Sequence, residues 1–292
     1  MVLYMQGLIQ LKSSYSERLA ETIELCFLKG GISINHSRTN MFLLFLAILF
    51  FAGIILFSFR MFVWGLLPLI FLLILYISTN KYRSSVSLFI FFLLGTLVYQ
   101  LGSIYINEWN ISKEMKIIIN RCLLIFIMIG TVISLMLSKQ KIFSYARLPD
   151  WHRRIKMPFH TIKLPYFLLI GLMVSSTILI PLFSQEMSDL KTVLLFGILF
   201  AIINATLEEV IWRGIMLSSL KRNVSTFYAV VITSIGFGLL HISIGIPVII
   251  SLLFSFGGLF YAIVVLKTDS IYPSIVFHIV INLGMVFNGW II

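Results

Sequence analysis

Charge is scarce in this chain and acid scarcer still: Asp, Glu, Lys and Arg make up 11% of 292 residues, and only 11 residues are acids. Soluble domains carry about a quarter charged residues, so a solvated globular surface is excluded. Cysteine is nearly absent. Cys26 and Cys122 stand far apart with no CxxC or Cys/His spacing, which leaves neither a disulfide framework nor a redox motif. Three catalytic signatures are missing as well. There is no His-Glu-x-x-His zinc motif, no Gly-x-Ser-x-Gly element, and no Asp inside any apolar run, which removes an aspartyl dyad. The first 40 residues show no compact basic-then-apolar leader, so insertion through the chain's own spans is expected. No internal repeat is visible, which argues against a transporter built from repeated halves.

What is present is apolar: 60% of residues are hydrophobic and the mean hydropathy is +1.05. These residues collect in runs of about 20, the length that crosses a hydrocarbon core. Spans are predicted near 41–59, 61–79, 86–106, 118–137, 166–184, 192–212, 225–243, 248–266 and 272–291. The fold class predicted is an all-α, polytopic transmembrane helical bundle. It has eight or nine spans, depending on whether the hairpin at Arg60 counts as two.

The net charge of +11 raises the question of nucleic acid, but the 22 Lys and Arg residues lie in short polar breaks between apolar runs. That distribution orients a membrane protein and does not make a phosphate-binding face. Membrane lipid is therefore the expected partner, and nucleic acid is not. The segment 138–165 holds seven Lys and Arg against a single acid, Asp150, and is expected to be cytoplasmic. Alternation then places Lys81, Arg83, Lys221, Arg222 and Lys267 on the same side, and the loop 185–191, with Glu186 and Asp189, outside. The expected organisation is a cytoplasmic amphipathic segment 1–40, a four-span region 41–137, the basic loop 138–165, and a C-terminal membrane domain 166–292. The expected location is the cell membrane, multi-pass, with a cytoplasmic N-terminus.

Ionisable groups inside a bilayer are costly and usually functional. Nine of the acids lie in loops or in the N-terminal segment; only Glu208 and Glu209 interrupt an apolar stretch, LLFGILFAIINATLEEVIWRG. His241 and His278 are likewise embedded. Residues four apart share a helix face, which pairs Glu209 with Arg213 and His278 with Asn282. Glu208 points about 100° away from Glu209. Arg213 can therefore hold Glu209 in a structural ion pair while Glu208 faces another partner. A poorly solvated carboxylate suits a general base, a neighbouring histidine can share the proton, and a histidine with an amide one turn on supplies oxyanion donors. Water activated by Glu208 with His241, attacking a carbonyl held by His278 and Asn282, is a complete hydrolytic arrangement. The same groups, Glu208, Glu209, His241 and His278, are also O and N donors of the kind zinc accepts. No other cofactor is expected. From the cytoplasmic turns, Glu208, His241 and His278 fall roughly 21, 28 and 13 Å deep at 1.5 Å per residue, a spread that tilt or a broken helix must absorb.

Glu208-Glu209-x-x-x-Arg213, Phe237-x-x-x-His241 and His278-x-x-x-Asn282, with Pro273 five residues before His278, resemble the signature motifs of the CPBP family, the CAAX protease and bacteriocin-processing (Abi) intramembrane proteases. The likeness covers about residues 190–290. It implies an all-helical membrane fold and glutamate-type endopeptidase activity on a membrane-associated peptide or protein. Among eukaryotic members the substrate is the C-terminal tripeptide of a prenylated protein; bacterial members process peptides or confer bacteriocin immunity. It implies Glu208 and His241 as water activators, and His278 with Asn282 as oxyanion stabilisers. Some members are thought to be non-proteolytic, so a non-catalytic immunity or regulatory protein on the same fold is the alternative.

Overall fold

A computed structural model describes residues 37–142, 144–156, 160–177 and 190–291. Most of the N-terminal segment, with Cys26, lies outside the described residues, as does the expected outer loop with Glu186 and Asp189. The chain forms α1 (Ser37–Ser58), α2 (Phe62–Ser78), α3 (Arg83–Asn107), α4 (Lys113–Cys122) and α5 (Leu124–Leu137). Strands β1 (Arg154–Lys156) and β2 (Thr161–Lys163) follow, then α6 (Leu164–Ser176) and α7 (Leu190–Glu209). A π-helical run, Val210–Leu217, continues α7 into α8 (Ser218–Leu220); then come α9 (Thr226–Leu240), a 3-10 turn (His241–Ile244), α10 (Val248–Thr268) and α11 (Tyr272–Phe287). Among the described residues six helical stretches are long and apolar enough to cross a membrane, and α2, α6 and α11 are apolar but shorter. The protein is a polytopic helical membrane protein.

The polar breaks punctuate the helices in a readable way. The Ser112 and Ser225 hydroxyls accept from the backbone N–H of Met115 and Tyr228, at 3.3 and 3.2 Å, capping α4 and α9. Pro165 and Pro273 sit in the first turns of α6 and α11, where no amide hydrogen is needed. Gly245, at φ 90°, closes the 3-10 turn in a conformation that side chains resist.

One element departs from the all-helical expectation. Within the basic loop β1 and β2 pair antiparallel, with Ile155 opposite Ile162. The short Arg-Ile-Lys and Thr-Ile-Lys alternations allow this, since Ile155 is buried while its charged neighbours stay out. The loop is fastened to three helix ends. Lys221 Nζ donates to Tyr145 Oη at 2.9 Å, Lys267 Nζ to the Lys156 carbonyl at 2.9 Å, and the Ile271 amide to the Tyr145 carbonyl at 3.1 Å. Arg147 forms an ion pair with Asp269.

The main buried hydrophobic cluster runs from Leu46 to Phe277, so the N-terminal helices and the C-terminal ones share a core; two small clusters, at Tyr145, Val265 and Ile271 and at Phe196, Phe200 and Val286, flank it. Phe50 stacks on Phe89 at 4.1 Å, and Phe92 meets Trp212 at 4.9 Å. Helices α9 and α10 approach through Gly258, where a Cβ would lie 2.8 Å from the Ser234 carbonyl oxygen and 2.9 Å from its Cα. Gly258→Ala is therefore expected to separate the pair at a cost of about 1–3 kcal/mol, the range for overpacking. A lower thermal midpoint of the purified protein in detergent is the readout; an unchanged midpoint would show that the crossing relaxes freely.

Candidate active site

The intramembrane acids and histidines come together. Glu209 is fully buried, and its Oε1 accepts from Arg213 Nη1 at 2.9 Å, as the four-residue spacing requires. Arg213 Nη2 donates to the Gly258 carbonyl at 2.8 Å. Its guanidinium lies 4.7 Å from the Phe237 ring centre and 5.2 Å from that of Tyr261, within cation–π range of two aromatic rings. The same Glu209 oxygen receives a hydrogen bond from His278 Nδ1 at 3.0 Å. One carboxylate thus locks an arginine from the π-helical run to an imidazole from α11.

Glu208 is 2% exposed and looks the other way. Its Oε1 stands 4.0 Å from Arg121 Nη1 and its Oε2 stands 3.5 Å from His278 Nε2. Oε2 has no hydrogen-bond partner among the described residues. The His278 ring is held by stacking on Tyr261 at 4.7 Å.

His241 follows the last residue of α9 and opens the 3-10 turn. Its Nδ1 donates to the Phe237 carbonyl at 2.9 Å, and its ring stacks on Phe254 at 4.5 Å with 2° between planes. A carbonyl only accepts, so the proton sits on Nδ1, and Nε2 of the neutral ring keeps its lone pair. The helix changes pitch at two places beside the site, at the 3-10 turn that His241 opens and in the π-helical run directly after Glu209.

A cavity of about 730 Å³ adjoins these groups, with His241, His278, Asn282, Asn204, Tyr261 and Arg121 in its wall. Neither Glu208 nor Glu209 lines it; the carboxylates stand behind Arg121 and His278. Asn282 is 3% exposed, and its Nδ2 lacks a partner among the described residues.

Arg121 is the residue that reading the sequence missed. It lies on α4, is 7% exposed, and its Nη1 also reaches Asn204 Oδ1 at 3.5 Å. The signal was there: a cation opening the apolar run RCLLIFIMIGTVISLML is as costly as an acid. An inventory confined to acids and histidines passes over it.

Among the described residues no group of three His, Cys, Asp or Glu converges for a metal. Glu209 is committed to Arg213 and His278, and both His278 nitrogens face carboxylates.

The class this defines is a polytopic helical membrane protein with a buried Glu/His/Arg cluster opening on an intramembrane cavity. Residues 190–284, about a third of the chain, match the family model of Type II CAAX prenyl endopeptidase Rce1-like proteins, and this segment is thus similar to the CPBP/CAAX proteases. The matched segment contains every motif residue from Glu208 to Asn282. No curated protein and no solved structure matches the chain significantly.

Proposed function

We propose that the protein is an intramembrane endopeptidase of the cell membrane, hydrolysing a peptide bond of a membrane-associated peptide or protein. The observation that carries this reading is a cavity walled by His241, in a base-competent tautomer, and by Asn282, whose Nδ2 has no partner among the described residues, with the unpartnered Glu208 Oε2 directly behind the His278 wall. Water entering the cavity loses a proton to the Glu208/His241 pair, and its oxygen bonds to the scissile carbonyl carbon. The negative charge that develops on the carbonyl oxygen is met by Asn282 Nδ2–H and by the His278 side of the wall. The carbon–nitrogen bond then breaks as the stored proton passes to the leaving nitrogen, giving a carboxylic acid and an amine. The acid's remaining proton, from the same water, passes on to leave a carboxylate and an ammonium.

Glu209 and Arg213 take no part in proton transfer on this reading; they fix His278. Arg121 positions Glu208 by offering a cation to its Oε1. Cleavage of fluorogenic apolar peptides by the purified protein, compared with the Glu208→Ala and His241→Ala variants, is the test. Equal rates in all three would falsify the assignment and favour a non-catalytic role on the same fold.

Two further outcomes follow. Arg121→Gln is expected to slow cleavage about tenfold or more, in line with loss of a charge partner at a reacting group. Arg121→Lys should restore most of the loss while the thermal midpoints of both variants match the parent. If glutamine and lysine behave alike, Arg121 does not act through its charge. Because the donors do not converge on a metal, dialysis against EDTA or 1,10-phenanthroline is expected to leave the rate unchanged. A rate lost to chelator and restored by zinc would overturn the bare Glu/His mechanism.

A further inference from the structure

The cavity opens at one end of the bundle, and the charge distribution fixes which side of the membrane that end faces. Its mouth is framed by Arg60 in the α1–α2 turn, by Asn107 and Lys113 around the α3–α4 turn, and by Gly245 and Ile246 before α10. These turns belong to a single end of the molecule. Tyr99 Oη reaches Ser243 Oγ at 3.4 Å, Lys116 Nζ donates to the Asn107 carbonyl at 2.8 Å, and a second hollow joins Ser58 and Arg60 to Ile242 and Pro247.

The other end gathers the turns 79–83, 138–163, 221–225 and 267–271, tied together by the Tyr145, Lys221 and Ile271 contacts described above. There twelve Lys and Arg stand against two acids, Asp150 and Asp269. In the segments at the mouth, 59–61, 108–116 and 245–247, the tally is three, Arg60, Lys113 and Lys116, against Glu108 and Glu114. An excess of Lys and Arg in short loops marks the cytoplasmic side, and this asymmetry is steep. The cavity then descends from the far side. Lys113 is at the rim, and Arg121, eight residues along the same face of α4, lies roughly 12 Å deeper at 1.5 Å per residue. Tyr261 and His278 close the floor.

We propose that the cavity is loaded from the non-cytoplasmic side of the membrane, and that its substrate is an apolar peptide segment displayed on that side. The apolar character follows from the wall, where Ile250, Leu253, Phe254, Ile281 and Met285 face the space below the rim. The substrate class rests on the peptidase reading; the direction of loading does not.

The test separates the two. In the full chain carrying Cys26→Ser and Cys122→Ser, single substitutions Ile244→Cys and Arg60→Cys probe the mouth, and Leu148→Cys probes the basic end. Cells expressing each variant are treated with a membrane-impermeant maleimide before and after permeabilisation. Labelling at 244 or 60 in intact cells, with 148 reacting only after permeabilisation, is the expected result. Labelling of 148 in intact cells, or of 60 and 244 only after permeabilisation, overturns the proposal. Sealed right-side-out vesicles given a fluorogenic apolar peptide outside should cleave it without lysis; cleavage only after lysis also overturns it. If the labelling is as expected and no peptide is cut even after lysis, the direction of loading stands and the peptidase reading falls.

Discussion

Glu208→Gln is expected to lower peptide cleavage at least ~100-fold, the lower bound for removing a positioned general base. The substitution keeps the shape of the side chain and a hydrogen-bonding oxygen, so packing against Arg121 and His278 survives. What it removes is the capacity to hold a proton taken from water. The carboxylate is 2% exposed and its Oε2 has no hydrogen-bond partner among the described residues, which leaves it free to accept a proton. Single-turnover rates of parent and variant in the same detergent measure the effect, and matching thermal midpoints exclude misfolding. A variant within threefold of the parent would mean that His241 alone takes the proton.

Arg213→Met carries the second large effect, and it falls on stability. Arg213 and Glu209 are both fully buried, 2.9 Å apart, and the arginine also holds the Gly258 carbonyl. A buried ion pair costs desolvation on both sides, yet removing one partner strands the other charge, typically at about 3–5 kcal/mol. Methionine fills most of the volume but leaves Glu209 with only His278. The purified variant should therefore melt well below the parent. Arg213→Met combined with Glu209→Gln should recover part of the loss, because the stranded charge is gone. A double variant no more stable than the single one would show that the pair contributes through shape and not through charge.

Much of the site could be read from spacing alone. Glu209 with Arg213, and His278 with Asn282, lie four apart on helices, and the structure brings the first pair into contact and keeps the second on one cavity wall. The arrangement across helices was less legible. Nothing in the residue order says that one Glu209 oxygen would serve both Arg213 and His278, or that Glu208 would sit behind the cavity wall. Those details depend on the π-helical run Val210–Leu217, whose residues, VIWRGIML, resemble any apolar helical stretch. The His241 3-10 turn is similar: its end is marked by Gly245, at φ 90°, and not by the histidine. Arg121 was hidden by distance in the chain, since no local pattern links α4 to a glutamate 87 positions later. The β-hairpin was missed because three-residue strands are too short to show a period.

The basic loop is more than a connector between two halves. It grips the helix ends at Lys221, Lys267 and Ile271, and Ile271 lies two helical turns before His278. The loop's hydrogen bond to Ile271 thus fixes the first turn of α11, the helix that carries His278. A connector between two halves therefore also serves as the clamp that sets where the floor of the cavity begins.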